Sequence, residues 1–169
     1  MKRIELTQKK IALIDNDDFK RINAVKWFYQ KSGGAPYGYA VRWVRLTTGD
    51  KKIIRMHWDV IGKPPIGMHI DHINGNHLDN RRKNLRMCTI SQNGMNRGMA
   101  SHNTSGFKGV TLHKATKKWQ AKIQASGKEI YLGLFTSKSA ANRAYRVACV
   151  KYHGEFSFFN KIPRKRQSR

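Results

Sequence analysis

MHIDHINGNHLDNRRKNLRMCTISQNGMN, residues 68–96, changes character three times within 29 positions. Met68 to Ile73 alternates as a short strand. Asn74-Gly75-Asn76 is a turn signal that calls for positive φ. Leu78, Asp79 and Asn80 continue a loop to Arg81, and Asn84 to Cys88 reads as a second strand. Thr89 then stands where an N-cap belongs, with Gln92 three residues on as its capping-box partner, opening a helix that carries Asn93 and Asn96. Strand, loop, strand, helix is a ββα unit. So polar and Asn-rich a run buries little apolar surface, so the sequence predicts a poor core builder. What it offers is metal ligands, a base and a tight turn.

Outward from this stretch, charge is the dominant feature. Lys and Arg number 34 against 10 Asp and Glu, a net charge of +24. Beyond Asp79 only Glu129 and Glu155 are negative. A field of this sign across a whole chain attracts polyanions, and nucleic acid is the expected partner. A membrane surface is the rival polyanion. It is not expected, because the chain has no amphipathic basic helix with a wide apolar face and no long apolar run. No apolar signal core opens the sequence. Cys88 and Cys149 form no CxxC, which disfavours a Cys-rich zinc finger and fits a reduced, cytoplasmic compartment. No small-molecule cofactor is expected.

The fold class expected is α+β. Residues 1–55 form an N-terminal β-rich region: short strands at Ile4 to Leu6 and Ile11 to Ile14, a short helix with Phe19, Ile22 and Val25, and a hairpin from Tyr37 to Arg45 through Thr48-Gly49-Asp50 to Lys52–Met56. Trp27 and Trp43 are expected in its core. Arg42, Arg45, Lys51, Lys52 and Arg55 are candidates for phosphate contact. His57 to Gly62 reads as a short helix before Pro64-Pro65. Residues 56–97 hold the ββα core and residues 98–104, with their Gly, Asn and Ser, a linker. Residues 105–160 form a second domain with three strands (Gly106 to Leu112, Trp119 to Ala125, Glu129 to Phe135) and one helix. That helix is capped by Thr136 or Ser137 and presents Ala141, Ala144, Tyr145, Ala148 and Tyr152 on one face. Residues 161–169 are a basic tail.

The residues of the 68–96 stretch match the needs of phosphodiester hydrolysis. A water must lose a proton, and charge must be neutralised on the phosphate and on the leaving oxygen. Asp71 and Asn93 supply one carboxylate and one amide oxygen for a hard divalent ion, Mg²⁺ or Mn²⁺, one per site. His72, whose ordinary pKa lies near neutrality, is the candidate general base. Neighbours on a flat strand point to opposite faces, so Asp71 and His72 share a cleft only if the strand ends or twists at the Asn74-Gly75 turn. Singly, each residue has a plainer reading: a turn acid, a surface histidine, a helix-face amide.

Together, His69-Ile-Asp-His-Ile-Asn-Gly-Asn-His-Leu-Asp-Asn-Arg-Arg-Lys-Asn-Leu-Arg86 and Ser91-Gln-Asn93 resemble the HNH endonucleases of phage and intron homing systems over roughly residues 50–97. The resemblance implies a ββα-metal (His-Me finger) nuclease core. His72 would be the general base, Asp71 and Asn93 the metal ligands, and Asn84 the brace of the loop that orients the base. Asn93 stands where other branches have His, which favours Mg²⁺ or Mn²⁺ over softer Zn²⁺. His57 matches an upstream family histidine whose role is open between packing and function. His69 is either a further ligand or a surface residue. Arg81, Arg82, Lys83 and Arg86 are expected on DNA.

A second resemblance rests on Ser105-Gly-Phe-Lys-Gly-Val110, Lys118-Trp-Gln-Ala-Lys-Ile123, Tyr131-Leu-Gly-Leu-Phe135 and Arg143-Ala-Tyr145. These are similar to the plant ethylene-response-factor (AP-two) DNA-binding domain, a three-stranded antiparallel sheet packed on one helix. By alternation Ala121 and Ile123 face the helix, while Gln120, Lys122 and Gln124 face DNA. Lys108, His113, Lys128 and Tyr131 are further expected contacts. Tyr131 in place of Trp and the absence of several family arginines depart from the plant pattern. The function expected is a site-specific homing endonuclease, monomer or homodimer, acting in the host cell of a phage or mobile element. The alternative is a DNA-binding regulator with an inert HNH core.

Overall fold

The computed structural model describes residues 1–160, so the basic tail at 161–169 lies outside the described residues. By internal contacts the chain divides between Cys88 and Thr89 into two units. The boundary expected from composition lay near Ser101. The division instead places the helix after Thr89, and Asn93 with it, in the second unit.

The first unit begins with a hairpin of β1 (Lys2–Glu5) and β2 (Ile11–Ile14), followed by α1 (Asn16–Ile22). A three-stranded antiparallel sheet follows, ordered β3 (Phe28–Lys31), β4 (Gly38–Arg45), β5 (Lys51–Arg55). β3 was not foreseen; it exists because Phe28 to Lys31 finds a partner in Gly38 to Val41. α2 (Met56–Ile61) ends at Gly62, whose φ of 91° few other residues adopt. β6 (Met68–His72) then pairs with β7 (Leu85–Thr89). The core comprises Ile4, Leu6, Ala12, Ile14, Ile22, Trp27, Ala40, Met56, Val60 and Leu85. Each of the larger aliphatic side chains among them, once fully buried, contributes about 1.5–3 kcal/mol before entropy. Trp27 is buried as expected and its Nε1–H donates to the Ile22 carbonyl at 2.8 Å. Trp43 is not in the core. It is 53% exposed and stacks on Phe28 at 6.2 Å. Val25 is likewise exposed, beyond the end of α1.

The second unit opens with α3 (Ile90–Asn96). Its capping box is formed as read: Gln92 N–H donates to Thr89 Oγ1 (3.2 Å) and Thr89 N–H to Gln92 Oε1 (2.8 Å). Antiparallel strands β8 (Val110–His113), β9 (Lys118–Ala125) and β10 (Lys128–Phe135) form one sheet with β9 in the middle. α4 (Lys138–His153) is capped by Ser137 Oγ, which accepts from Ala140 N–H. Ala121 and Ile123 of β9 are buried with Ala141, Tyr145, Ala148 and Cys149 of α4. Tyr152, assigned to that buried face by spacing, is 39% exposed, and Cys149 takes its place.

The close approach of α4 to the sheet has a specific requirement at Gly109. Its φ is +70°, and a Cβ there would overlap the Tyr145 ring and lie 2.7 Å from the Lys122 carbonyl. Gly109→Ala is therefore expected to destabilise the second unit by roughly 2–4 kcal/mol, from strain and overpacking together. Urea unfolding followed by the fluorescence of Trp119 checks it; a change under ~0.5 kcal/mol would show that the helix yields freely.

Candidate nuclease site

The loop between β6 and β7 is a closed hydrogen-bond network. Gly75 N–H donates to the His72 carbonyl at 2.7 Å, making a tight turn directly after the strand, with Gly75 at φ +70°. Asn74 Nδ2 donates to Asp79 Oδ2 (2.9 Å), and Asn74 N–H to Asn84 Oδ1 (2.9 Å). Asn84 Nδ2 donates to the Asp79 carbonyl (2.7 Å), and Ile73 N–H to the Asn84 carbonyl (2.9 Å). Asn84 thus bonds both ends of the loop. β2 adds the outer wall: Leu13 N–H donates to the Leu78 carbonyl and Asn80 N–H to the Leu13 carbonyl, at 2.8 and 2.9 Å.

The polar run is no poor core builder. Asp71, His72, Asp79, Asn80 and Asn84 are all buried. Buried polar groups are tolerated when their bonds are made inside the protein, which this network does. Asp79 shows the balance. Burial pushes its carboxyl pKa up, but the Arg81 guanidinium, with Nε 2.7 Å from Oδ1, and Asn74 hold the net value below the usual range.

Asp71 and His72 meet different neighbours, as consecutive strand residues should. Arg86 of β7 donates to Asp71 Oδ2 from Nε (3.0 Å) and from a terminal nitrogen (2.7 Å). His72 lies among the rings of His57 and His77, each 5.2 Å away between centroids, with Tyr39 at 6.3 Å. Tyr37 stacks on His77 at 4.0 Å, and Arg55 lies over Tyr39 at 4.9 Å. Burial pushes the His72 imidazole below its ordinary pKa, against the upward pull of the Asn80 hydrogen bond and of Asp71 and Asp79. A neutral imidazole is the form that accepts a proton. The sequence reading leaves His57 open between packing and function and does not single out His77 or Asn80. No periodic signal marks them, since the tertiary fold alone brings them to His72.

The expected ligands offer only oxygen donors, the chemistry a hard cation takes. The Arg86 guanidinium holds Asp71 Oδ2 from two nitrogens, so a metal ion at this carboxylate would share it with that cation. Asn93 lies half-buried on α3, in the second unit. Among the described residues no group of three or more His, Cys, Asp or Glu is gathered for a metal. His69 is exposed, and its carbonyl accepts from Cys88 Sγ at 3.6 Å.

Several cations expected on DNA are engaged inside the chain. Arg81 pairs with Asp79, Arg82 with Asp18, and Arg86 with Asp71. Lys83 is exposed. Arg42 pairs with Asp59. In the second unit Lys108 Nζ donates to the carbonyls of Met95 and Arg97 (2.8 and 2.6 Å), at the C-terminal end of α3. His113 Nδ1 bonds Thr116 Oγ1 at 2.8 Å. The β9 alternation holds: Gln120 and Lys122 are half-exposed and Gln124 exposed, with Tyr131 on β10 opposite Lys122. Lys128 is exposed, and Lys122 pairs with Glu129 at 2.7 Å.

His57 carries a consequence for stability. Burial, with His72, Arg55 and His77 nearby, pushes its pKa down to about 2. In the unfolded chain it protonates near roughly 6.5. The unfolded state therefore binds the proton first as pH falls. Stability is complete above about 6.5 and drops below it, by at most ~1.4 kcal/mol per pH unit from this group. His57→Gln is expected to flatten the slope of unfolding free energy between about pH 6 and pH 4 in urea titrations; an unchanged slope would refute a buried neutral His57.

Comparison with known proteins fits this geometry. Residues 59–95 match the HNH endonuclease family. The chain is 37% identical over 73 residues to Protein 3.8 of Escherichia phage T7, covering 43% of this chain and 60% of that protein. It is 27% identical over 153 residues to an uncharacterized HNH endonuclease of Acanthamoeba polyphaga mimivirus, covering 89% of this chain and 75% of the viral protein. An AP2-like ethylene-responsive transcription factor of Arabidopsis thaliana is 43% identical over 51 residues, 30% of this chain but only 10% of the plant protein. No helix among the described residues is long and apolar enough to cross a membrane. The chain is thus similar to HNH endonucleases over residues 59–95 and, over a separate stretch of 51 residues, to AP2-like factors.

Proposed function

We propose that the chain is a metal-dependent, site-specific DNA endonuclease of the homing type, working on double-stranded DNA in the cytoplasm of the host cell of a phage or mobile element. The observation that carries this reading is the buried His72, held by the 74–84 loop directly after Asp71, inside the stretch that matches the HNH family. His72 takes the proton of the attacking water, and Asn84 keeps the loop that positions it. Asp71 and Asn93 hold one Mg²⁺ or Mn²⁺, completing a ββα-metal core. That ion, when bound, supplies positive charge to the phosphate and the leaving oxygen. The outward face of β9 and β10, with Gln120, Lys122, Gln124 and Tyr131, lies on DNA. Side-chain amides and ammonium groups there are suited to base edges and phosphates. With one centre per chain, a monomer nicks, and a homodimer cuts both strands.

His72→Ala is expected to lower cleavage by ~10²-fold or more while DNA affinity holds, and EDTA is expected to stop wild-type cleavage until Mg²⁺ or Mn²⁺ returns. Unchanged cleavage by the variant refutes the base; indifference to EDTA refutes the metal. A DNA-binding regulator with an inert core would bind DNA and cut in neither arm.

Replacing Gln120, Lys122 and Gln124 together by Ala is expected to weaken DNA binding by on the order of 10-fold and to reduce the salt slope by about 1, for the lost ammonium. Cleavage at saturating DNA should stay the same. Equal affinity and slope would remove this face from the interface.

A further inference from the structure

Asn80 hydrogen-bonds the His72 ring, and its own partners define which way its amide faces. Its Oδ1 lies 3.2 Å from His72 Nε2, and both residues are buried. The amide could in principle sit either way round, and its other contacts decide. Asn80 Nδ2 lies 3.4 Å from Met56 Sδ and 3.3 Å from the Leu78 carbonyl. A thioether sulfur and a carbonyl oxygen only accept hydrogen bonds. Flipping the amide would set Oδ1 against two acceptors, so Nδ2 belongs there and Oδ1 belongs on the imidazole. The oxygen has no proton to give, so Nε2 must donate.

The backbone fixes this arrangement further. Asn80 N–H donates to the Leu13 carbonyl and Leu13 N–H to the Leu78 carbonyl, tying the loop to β2 on both sides of Asp79. Met56 belongs to the hydrophobic core. Neither the acceptors around Nδ2 nor the Asn80 backbone can shift without breaking packed structure.

We infer that Asn80 is the positioning residue of the nuclease site: it holds His72 in the Nε2–H tautomer, so that Nδ1 carries the lone pair and is the atom that receives the proton from water. This deepens the general-base role of His72 and rests on it. The partner of the second ring nitrogen sets which nitrogen is basic, and it fixes the ring's orientation as well. The balance of the step is simple. Water gives its proton to Nδ1 and its oxygen bonds to phosphorus; the bond from phosphorus to the departing ester oxygen breaks, that oxygen takes a proton from bulk water, and the ring becomes an imidazolium whose Nε2–H still points at Asn80 Oδ1. The developing positive charge meets an amide oxygen, which stabilises it.

The test is made first on the wild-type full-length chain, with long-range ¹H–¹⁵N NMR spectra of ¹⁵N-labelled protein at a pH where imidazoles are neutral. The His72 signals are identified by their loss in His72→Ala. A protonated Nε2 and a bare Nδ1, without tautomer averaging, are expected. A protonated Nδ1 or an averaged pair overturns the inference, whatever the protein cleaves. In Asn80→Leu the signature should move toward averaging, and kcat should fall by on the order of 10-fold or more with KM for DNA unchanged. Asn80→Asp, whose carboxylate also accepts from Nε2–H, should keep the signature and recover a large part of kcat. An Asn80→Leu chain with the wild-type signature and kcat overturns the role. If His72→Ala cleaves normally while wild-type His72 shows Nε2–H, the base assignment fails and the tautomer stands.

Discussion

One buried carboxylate holds the site loop in shape. Asp79 is enclosed by protein, and a charge in that position is costly unless it is paired and hydrogen-bonded. Arg81 and Asn74 satisfy its oxygens, and its backbone carbonyl takes the amide of Asn84. Because Asn74 and Asn84 also bond each other, no member moves alone. Residues 73 to 84 therefore form a rigid polar insert that closes on the end of β6, where His72 sits. Removing one partner would leave others buried and unsatisfied, which costs more than the average hydrogen bond contributes.

Much of this was legible in the sequence, for reasons that are local. The Asn74-Gly75 turn, the Thr89–Gln92 capping box and the Ser137 cap are short-range devices, and each formed as its spacing implied. The strand–loop–strand–helix order around Asp71 and His72 followed from them, as did the β9 alternation. What stayed hidden was set by distant parts of the chain. Asn80 reads as one more loop amide until Met56 and Leu13 are brought to it. Trp43 looks like core by residue type, yet it is exposed while Val41, on the same face of β4, is buried. The arginines after Asn80 read as DNA contacts, since nothing in sequence order says that Arg82 meets Asp18, 64 residues away. Composition also placed a division in the Gly- and Asn-rich segment near Ser101, whereas internal contacts divide the chain at Cys88.

The second unit solves a different problem with the same economy of parts. A single helix must cover a three-stranded sheet, and the alanines of α4 let it come close. Tyr145 then lies over the one backbone position, Gly109, that has no side chain to obstruct it. The sheet's other face keeps its amides, Lys122 and Tyr131 outward. One face is thus shaped by volume and the other by polarity, and substitutions on the two should have separable effects.

The ion pairs have a consequence for how the molecule behaves in solution. Of ten acidic residues, Asp18, Asp59, Asp71, Asp79 and Glu129 are each engaged by a cation of the same chain. They neutralise charge at short range and leave the long-range field strongly positive. Added salt screens that field and relieves its self-repulsion, while paired, buried charges feel salt little. The same salt weakens attraction to a polyanion by removing the gain from counterion release. Ionic strength should thus pull the two properties apart: conditions that best preserve the folded chain are those in which it holds nucleic acid least tightly.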